Sequence, residues 1–245
     1  MRINHLLLDI EGTTCPVSFV SDILFPYARK SLGAYITSHR SDPDIQVICD
    51  AALKEWAKDT TNESQRLRHK HEGNGLQASQ AITDYLLHLI DADKKSTALK
   101  DLQGRIWLNG YQSGDIKGEL FPEAAACFQQ WSEHHLAISS YSSGSIQAQK
   151  LIYKYSNYGD LTQHIHQWFD THTGPKKEAQ SYSIISQKLD TPPQAILFIS
   201  DNPQECNAAK QADLRTLFST REGNPDRNPQ GHTAISNLKE VMAHL

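Results

Sequence analysis

The chain has 245 residues, 38% of them hydrophobic, with a mean hydropathy of −0.54 and a net charge of −4. That length suits one large domain or a core carrying a smaller insert, and no apolar run approaches the roughly 18 residues needed to span a bilayer. The slight acidity and the lack of any Lys/Arg block argue against a nucleic-acid partner.

The first predicted element is Leu6-Leu7-Leu8-Asp9-Ile10, whose continuous apolarity reads as a strand covered on both faces. Gly12 then lets the chain turn sharply just beyond the strand's carboxyl end, where open α/β sheets place their ligands. The signals from Cys15 to about Glu119 are helical, with no convincing strand. Residues 22–39 carry Ile23, Leu24, Tyr27, Leu32, Tyr35 and Ile36 at helical spacing. Asp42-Pro43 opens a second helix with a capping residue followed by proline, and Ile45, Ile48, Leu53 and Trp56 form its apolar stripe. Residues 60–75 are polar and charged, a solvated helix and loop. Further helices are expected over 78–89 and 97–107. The insert is taken as residues 16–119, and the core as 1–15 with 120–245.

The second half alternates. A helix is expected over 122–135, a strand over 136–141 ending at Ser142-Ser143-Gly144-Ser145, and a helix over 146–155. A weaker strand (165–169) and a helix (178–189) follow. The buried run Ala195-Ile196-Leu197-Phe198-Ile199 then ends at Ser200-Asp201-Asn202. A helix (205–213), a short strand (214–218), a Gly/Pro/Asn-rich loop (222–231) and a closing helix near 236–244 complete the chain. Strands alternating with helices mean a parallel sheet wrapped on both faces.

In such a sheet the strand ends share one edge, so Asp9 and Glu11, Ser142 and Ser143, and Asp201 converge. Lys176, just before a helix start, can reach the same place. Neighbouring carboxylates are costly without a positive partner, and a divalent cation supplies one. An acidic pair, a hydroxyl pair, a lysine and a second acidic group are the parts that phosphoryl transfer needs.

These motifs resemble the haloacid dehalogenase-like hydrolases along the whole chain. Asp9-Ile10-Glu11-Gly12-Thr13 is similar to the first family motif, Ser142 to the second, Lys176 to the third, and Ser200-Asp201 with Glu205 to the fourth. Within them the enolase-phosphatases of methionine salvage are the nearer match. Glu11 in place of the usual second aspartate, the string Tyr141-Ser142-Ser143-Gly144-Ser145 followed by Ala148-Gln149-Lys150-Leu151, and Asn109-Gly110-Tyr111 with Lys117-Gly118 all point there.

The resemblance implies a Rossmann-like α/β core with an all-helical cap inserted after the first strand. More than a hundred residues separate Asp9 from Ser142, too many for a plain βαβ step of roughly 30. It implies Asp9 as nucleophile, Glu11 as acid and then base, and one Mg²⁺ held by Asp9, the Glu11 carbonyl and Asp201. Ser142, Ser143 and Lys176 would bind phosphate, with Lys176 also screening Asp9, and Glu205 would stand behind the metal ligands. The family's substrate is 2,3-diketo-5-methylthiopentyl-1-phosphate, which it enolises and dephosphorylates to the acireductone. A phosphatase of small metabolites without the enolase step is the alternative, and a module that has lost catalysis is a further one. The enolisation base is left open between Glu11 and a cap residue.

Competing signals are weaker. Lys177 could replace Lys176, but Lys176 fits the motif's spacing. The twelve histidines show no metal-ligand spacing, and His69 and His71 lie in a polar segment. Cys15 lacks the arginine six residues on that a cysteine phosphatase uses, since position 21 is Ser. The four cysteines, Cys15, Cys49, Cys127 and Cys206, form no C-x-x-C pair, and no signal peptide is read at the N-terminus. The expected protein is a cytoplasmic monomer acting on a small phosphate ester, with no membrane or nucleic-acid partner.

Overall fold

Leu6, Leu7 and Leu8 are all fully buried, which only the middle of a covered sheet allows. The computed structural model describes residues 2–72 and 78–245. Its strands are β1 (His5–Leu8), β2 (Ala137–Tyr141), β3 (Ile165–Phe169), β4 (Ile196–Ser200), β5 (Arg215–Ser219) and β6 (Ala234–Ile235). They lie side by side in the order β3-β2-β1-β4-β5-β6, and every pairing is parallel. Leu8 stands opposite Ser140 on one side and Ile199 on the other, so the residues that follow all three strands leave the sheet along the same edge. The fold is α/β, as expected.

Among the described residues six α-helices separate β1 from β2: α1 (Phe25–Ser38), α2 (Pro43–Lys58), α3 (Asn62–His71), α4 (Ala78–Asp91), α5 (Thr97–Ser113) and α6 (Ala124–Glu133). Three more, α7 (Ile146–Lys154), α8 (Ala179–Lys188) and α9 (Pro203–Gln211), alternate with the later strands. On one face of the sheet Leu7, Phe169 and Phe198 pack with Tyr182, Ile185, Ala208 and Ala209 of α8 and α9. Leu6 and Leu8 point the other way by strand alternation and are equally buried. Truncating any of the three to alanine removes about 2–5 kcal/mol.

The chain divides into two compact units, Met1–Ser21 with Lys117–Leu245, and Asp22–Ile116. The second unit has its own core. Trp56 stacks on Tyr85 with ring centroids 4.9 Å apart and donates its indole N–H to Ser64 O, while Trp107 donates to Leu24 O. The expected first helix of this unit is split. A π-helical turn, Phe19–Leu24, precedes α1, which restarts at Phe25 with a proline in its first turn. α5 runs six residues past the expected end at 107. The closing helix is a 3₁₀ segment, Leu238–His244, and β6 before it was not anticipated, being too short to show a strand's alternation. Residues 73–75 of the polar stretch expected over 60–75 lie outside the described residues. No described helix is long and apolar enough to cross a membrane.

Candidate active site

Asp9 follows β1 and is still paired to β4, its N–H donating to Ile199 O at 2.9 Å. Its side chain is 7% exposed. Oδ1 accepts the Ile10 N–H and the Lys176 Nζ, both at 2.8 Å, and Oδ2 lies 3.1 Å from the Ser200 hydroxyl. The same lysine reaches Glu205 Oε2 at 2.6 Å, and Ser200 Oγ is 2.9 Å from that oxygen. Three successive carbonyls hold the lysine's turn in place: Tyr141 donates to Gly174 O, Ser181 to Pro175 O and Tyr182 to Lys176 O. Lys177 is exposed; the residue that reaches Asp9 is Lys176.

Beyond Ile10 the chain folds back on itself. The N–H groups of Thr13, Thr14 and Cys15 all donate to Ile10 O, and Gly12 N–H donates to Cys15 O at 2.7 Å. Gly12 has φ +67°, a left-handed conformation that glycine adopts without penalty. A Cβ there would also collide with the Asp201 carboxylate. The turn thus brings Glu11 and Asp201 to either side of a residue that has to be glycine. Asn202 caps α9 by accepting the Gln204 N–H, with Pro203 in the first turn, and so fixes Asp201 and Glu205 at the two ends of one short rigid segment.

The loop after β2 is equally constrained. Ser142 is buried and Ser143 exposed. Ser142 N–H donates to Phe169 O, and Gly144 N–H donates to Ser142 Oγ. Ser145 caps α7, and Ile146 N–H donates to Asp170 at 3.4 Å. The Gln149 amide ties the loop down from behind, donating to Gly144 O and Phe169 O while accepting the Ser140 hydroxyl. The amides of Ser143 and Ser145 are left with no partner among the described residues, at the start of a helix whose dipole favours an anion.

The electrostatics are unbalanced. Burial, reinforced by Asp9 and only partly offset by Lys176, raises the Glu11 carboxyl to about 7. Asp201 is raised to about 7 in the same way, by burial first and Asp9 next. Burial also lifts Glu205, with Asp9 adding to it against the pull of Lys176. For Lys176 burial works downward, but Asp9 and Glu205 outweigh it and hold the ammonium above its usual range. One lysine therefore faces four carboxyl groups. Hard oxygen donors short of positive charge suit a small divalent cation. Among the described residues no three His, Cys, Asp or Glu side chains form a ready cage; two carboxylates with a backbone carbonyl and water are a donor set that suits Mg²⁺. Cys15 offers no thiolate, since burial and Glu11 push its thiol far up.

The sequence assigns no role of their own to some participants. Ser200 was read only as part of a motif, yet its hydroxyl bridges Asp9 and Glu205. Ser219 and Asn224 both donate to Gly12 O across more than 200 residues. A polar residue on the buried face of α7 would have flagged Gln149, which is 1% exposed.

A haloacid dehalogenase-like hydrolase family model matches residues 3–213. Proteins named Enolase-phosphatase E1 from Parasynechococcus marenigrum and a Synechococcus strain are 51% and 52% identical, covering all of this chain and 100% and 98% of theirs. The solved structure of the UTR4 protein of Saccharomyces cerevisiae is 30% identical, with a TM-score of 0.73 over 97% of this chain and 99% of that one. CbbY from Rhodobacter sphaeroides, solved in complex with phosphate, shares the fold at 14% identity and TM-score 0.56, over 98% of this chain and 96% of its own. With these likenesses added to the geometry of its strand ends, the chain belongs to the haloacid dehalogenase-like hydrolases and, within them, to the enolase-phosphatases.

Proposed function

We propose that the protein converts 2,3-diketo-5-methylthiopentyl-1-phosphate to 1,2-dihydroxy-3-keto-5-methylthiopentene and phosphate, in methionine salvage, with one Mg²⁺ held by Asp9, Asp201 and the Glu11 carbonyl. The observation that carries this reading is the buried Asp9, gripped by Lys176 and surrounded by three further carboxyl groups. When bound, Mg²⁺ supplies the positive charge that lets an anionic carboxylate approach an anionic phosphate.

Comparing substrate with product shows that a proton leaves the carbon bearing the phosphate oxygen, giving the enol. An Asp9 oxygen then attacks phosphorus, and the bond from phosphorus to the enol oxygen breaks. Glu11, raised to about 7, can carry the proton that the leaving oxygen takes up. The same carboxylate then removes a proton from water, whose oxygen displaces Asp9 from phosphorus. Ser142, Ser143 and the free amides beside them hold the phosphate oxygens, and Lys176 neutralises Asp9 between turnovers. The base for the first proton is Glu11 or a residue of the helical unit, which we take to be a cap that reads the methylthio end. The enzyme is read as a cytoplasmic monomer.

The test is the wild-type enzyme with Mg²⁺ and the diketone, followed by acireductone absorbance and phosphate release together. Both signals should rise at matched rates. Phosphate release from sugar phosphates, with neither signal from the diketone, would leave a small-metabolite phosphatase without the enolase step.

A further inference from the structure

The Gly12 turn is held from outside itself. Its carbonyl accepts two side-chain donors, the Ser219 hydroxyl at 2.8 Å and the Asn224 amide at 3.0 Å, and that amide also donates to Ser219 O at 3.1 Å. Ser219 closes β5 and Asn224 stands in the loop after it, and both are buried. On the other side Gly12 N–H donates to Cys15 O. The described residues contain no cis peptide bond, so the Glu11 carbonyl, opposite that N–H, faces away from Cys15. A glycine populates left- and right-handed conformations about equally. What selects φ +67° here is therefore the set of donors around it, not the residue's own preference.

We propose that Asn224, acting with Ser219, is a positioning residue for the reaction: the two side chains fix the Gly12 carbonyl, and through it the direction in which Glu11 presents its carbonyl and carboxyl beside Asp201. Asn224 touches no reacting atom in this scheme. It acts through the turn, and the inference rests on the roles proposed above for Glu11 and Asp201. Losing one donor leaves the glycine free to sample other turns. A lost hydrogen bond of ordinary strength corresponds to about a tenfold change in the population of the working one.

The test uses the full chain with Asn224→Ala and Ser219→Ala. Mg²⁺ affinity is measured by calorimetry on the resting protein, kcat and KM on the diketone, and the melting temperature without metal. Both variants should bind Mg²⁺ about tenfold more weakly and lose about tenfold in kcat, with KM within about threefold of wild type. A purely structural role would lower the melting temperature while leaving Mg²⁺ affinity and kcat at wild-type values, and that result overturns the proposal. Should Asn224→Ala fail to fold, Ser219→Ala removes one hydroxyl and decides the matter alone. If wild type ignores the diketone but hydrolyses another phosphate monoester, the substrate assignment fails separately. The same split is then read on that ester and on Mg²⁺ affinity.

Discussion

Among the described residues the core unit buries two clusters of opposite charges, of which one is balanced. Arg221 and Glu123 are each 7% exposed and meet at 2.6 Å. The same Glu123 oxygen accepts the Leu238 N–H, Arg221 donates to Ser236 O, and its guanidinium lies 4.1 Å from the centroid of the Phe121 ring. Burial works to raise the Glu123 carboxyl, but its bond to Arg221 prevails and holds it below the usual range. Around Lys176, Asp9 and Glu205 are buried to a similar degree and Glu11 and Asp201 are half-buried, yet Glu11, Asp201 and Glu205 are all pushed upward. A cluster whose charges cancel serves the fold. One left with surplus carboxylates suits a cation supplied from outside.

The sharpest way to break this contrast is Asp9→Asn. Turnover should fall by on the order of 10³-fold or more, while the melting temperature in metal-free buffer stays at or above that of wild type, because a surplus charge has gone. Activity within tenfold of wild type would remove Asp9 from the nucleophile's role. The balanced cluster should behave oppositely. Glu123→Ala strands a buried guanidinium and should cost about 3–5 kcal/mol in urea unfolding, and the double change Arg221→Met with Glu123→Leu should recover most of it. If the double variant is no more stable than the single one, the pair is not self-contained.

A third buried ionisable group lies at the far end of β1, where no ligand is expected. His5 is bonded to Ser139 at 2.9 Å, and burial, with His166 nearby, lowers it to about 4. The unfolded chain protonates this imidazole near its ordinary 6.5, whereas the folded chain does so only near 4. Between those values the unfolded state binds more protons, so stability falls as pH drops. The contribution is fully present above about pH 6.5 and is lost by about pH 4, about 3 kcal/mol in all. His5→Asn should flatten the urea-unfolding free energy across that window relative to wild type. An unchanged slope would mean the imidazole is already charged in the fold.

Much of this was legible in the residues because the physics is local. A run such as Leu6-Leu7-Leu8 announces a central strand, and carboxylates or hydroxyls just past such runs announce the edge where chemistry gathers. Lys176 could be ranked above Lys177 by spacing, and the structure gives the reason: Tyr141, Ser181 and Tyr182 pin its turn. What stayed hidden depends on tertiary pairing. Asn224 sits in a loop whose composition signals only turns, and nothing in the chain links it to Gly12. The π-helical turn before α1 was likewise invisible, since Ile23 and Leu24 keep a helical spacing through it.

The smallest expected effect bears most directly on the central claim that the Lys176 cluster lacks one divalent cation. It is read by calorimetric titration of the wild-type protein with Mg²⁺ at pH 7.5, beside Asp201→Asn. One ion should bind per wild-type chain and raise its melting temperature in proportion to the logarithm of Mg²⁺ concentration, with both signals lost in Asp201→Asn. No binding to wild type, or equal binding by the variant, would contradict it.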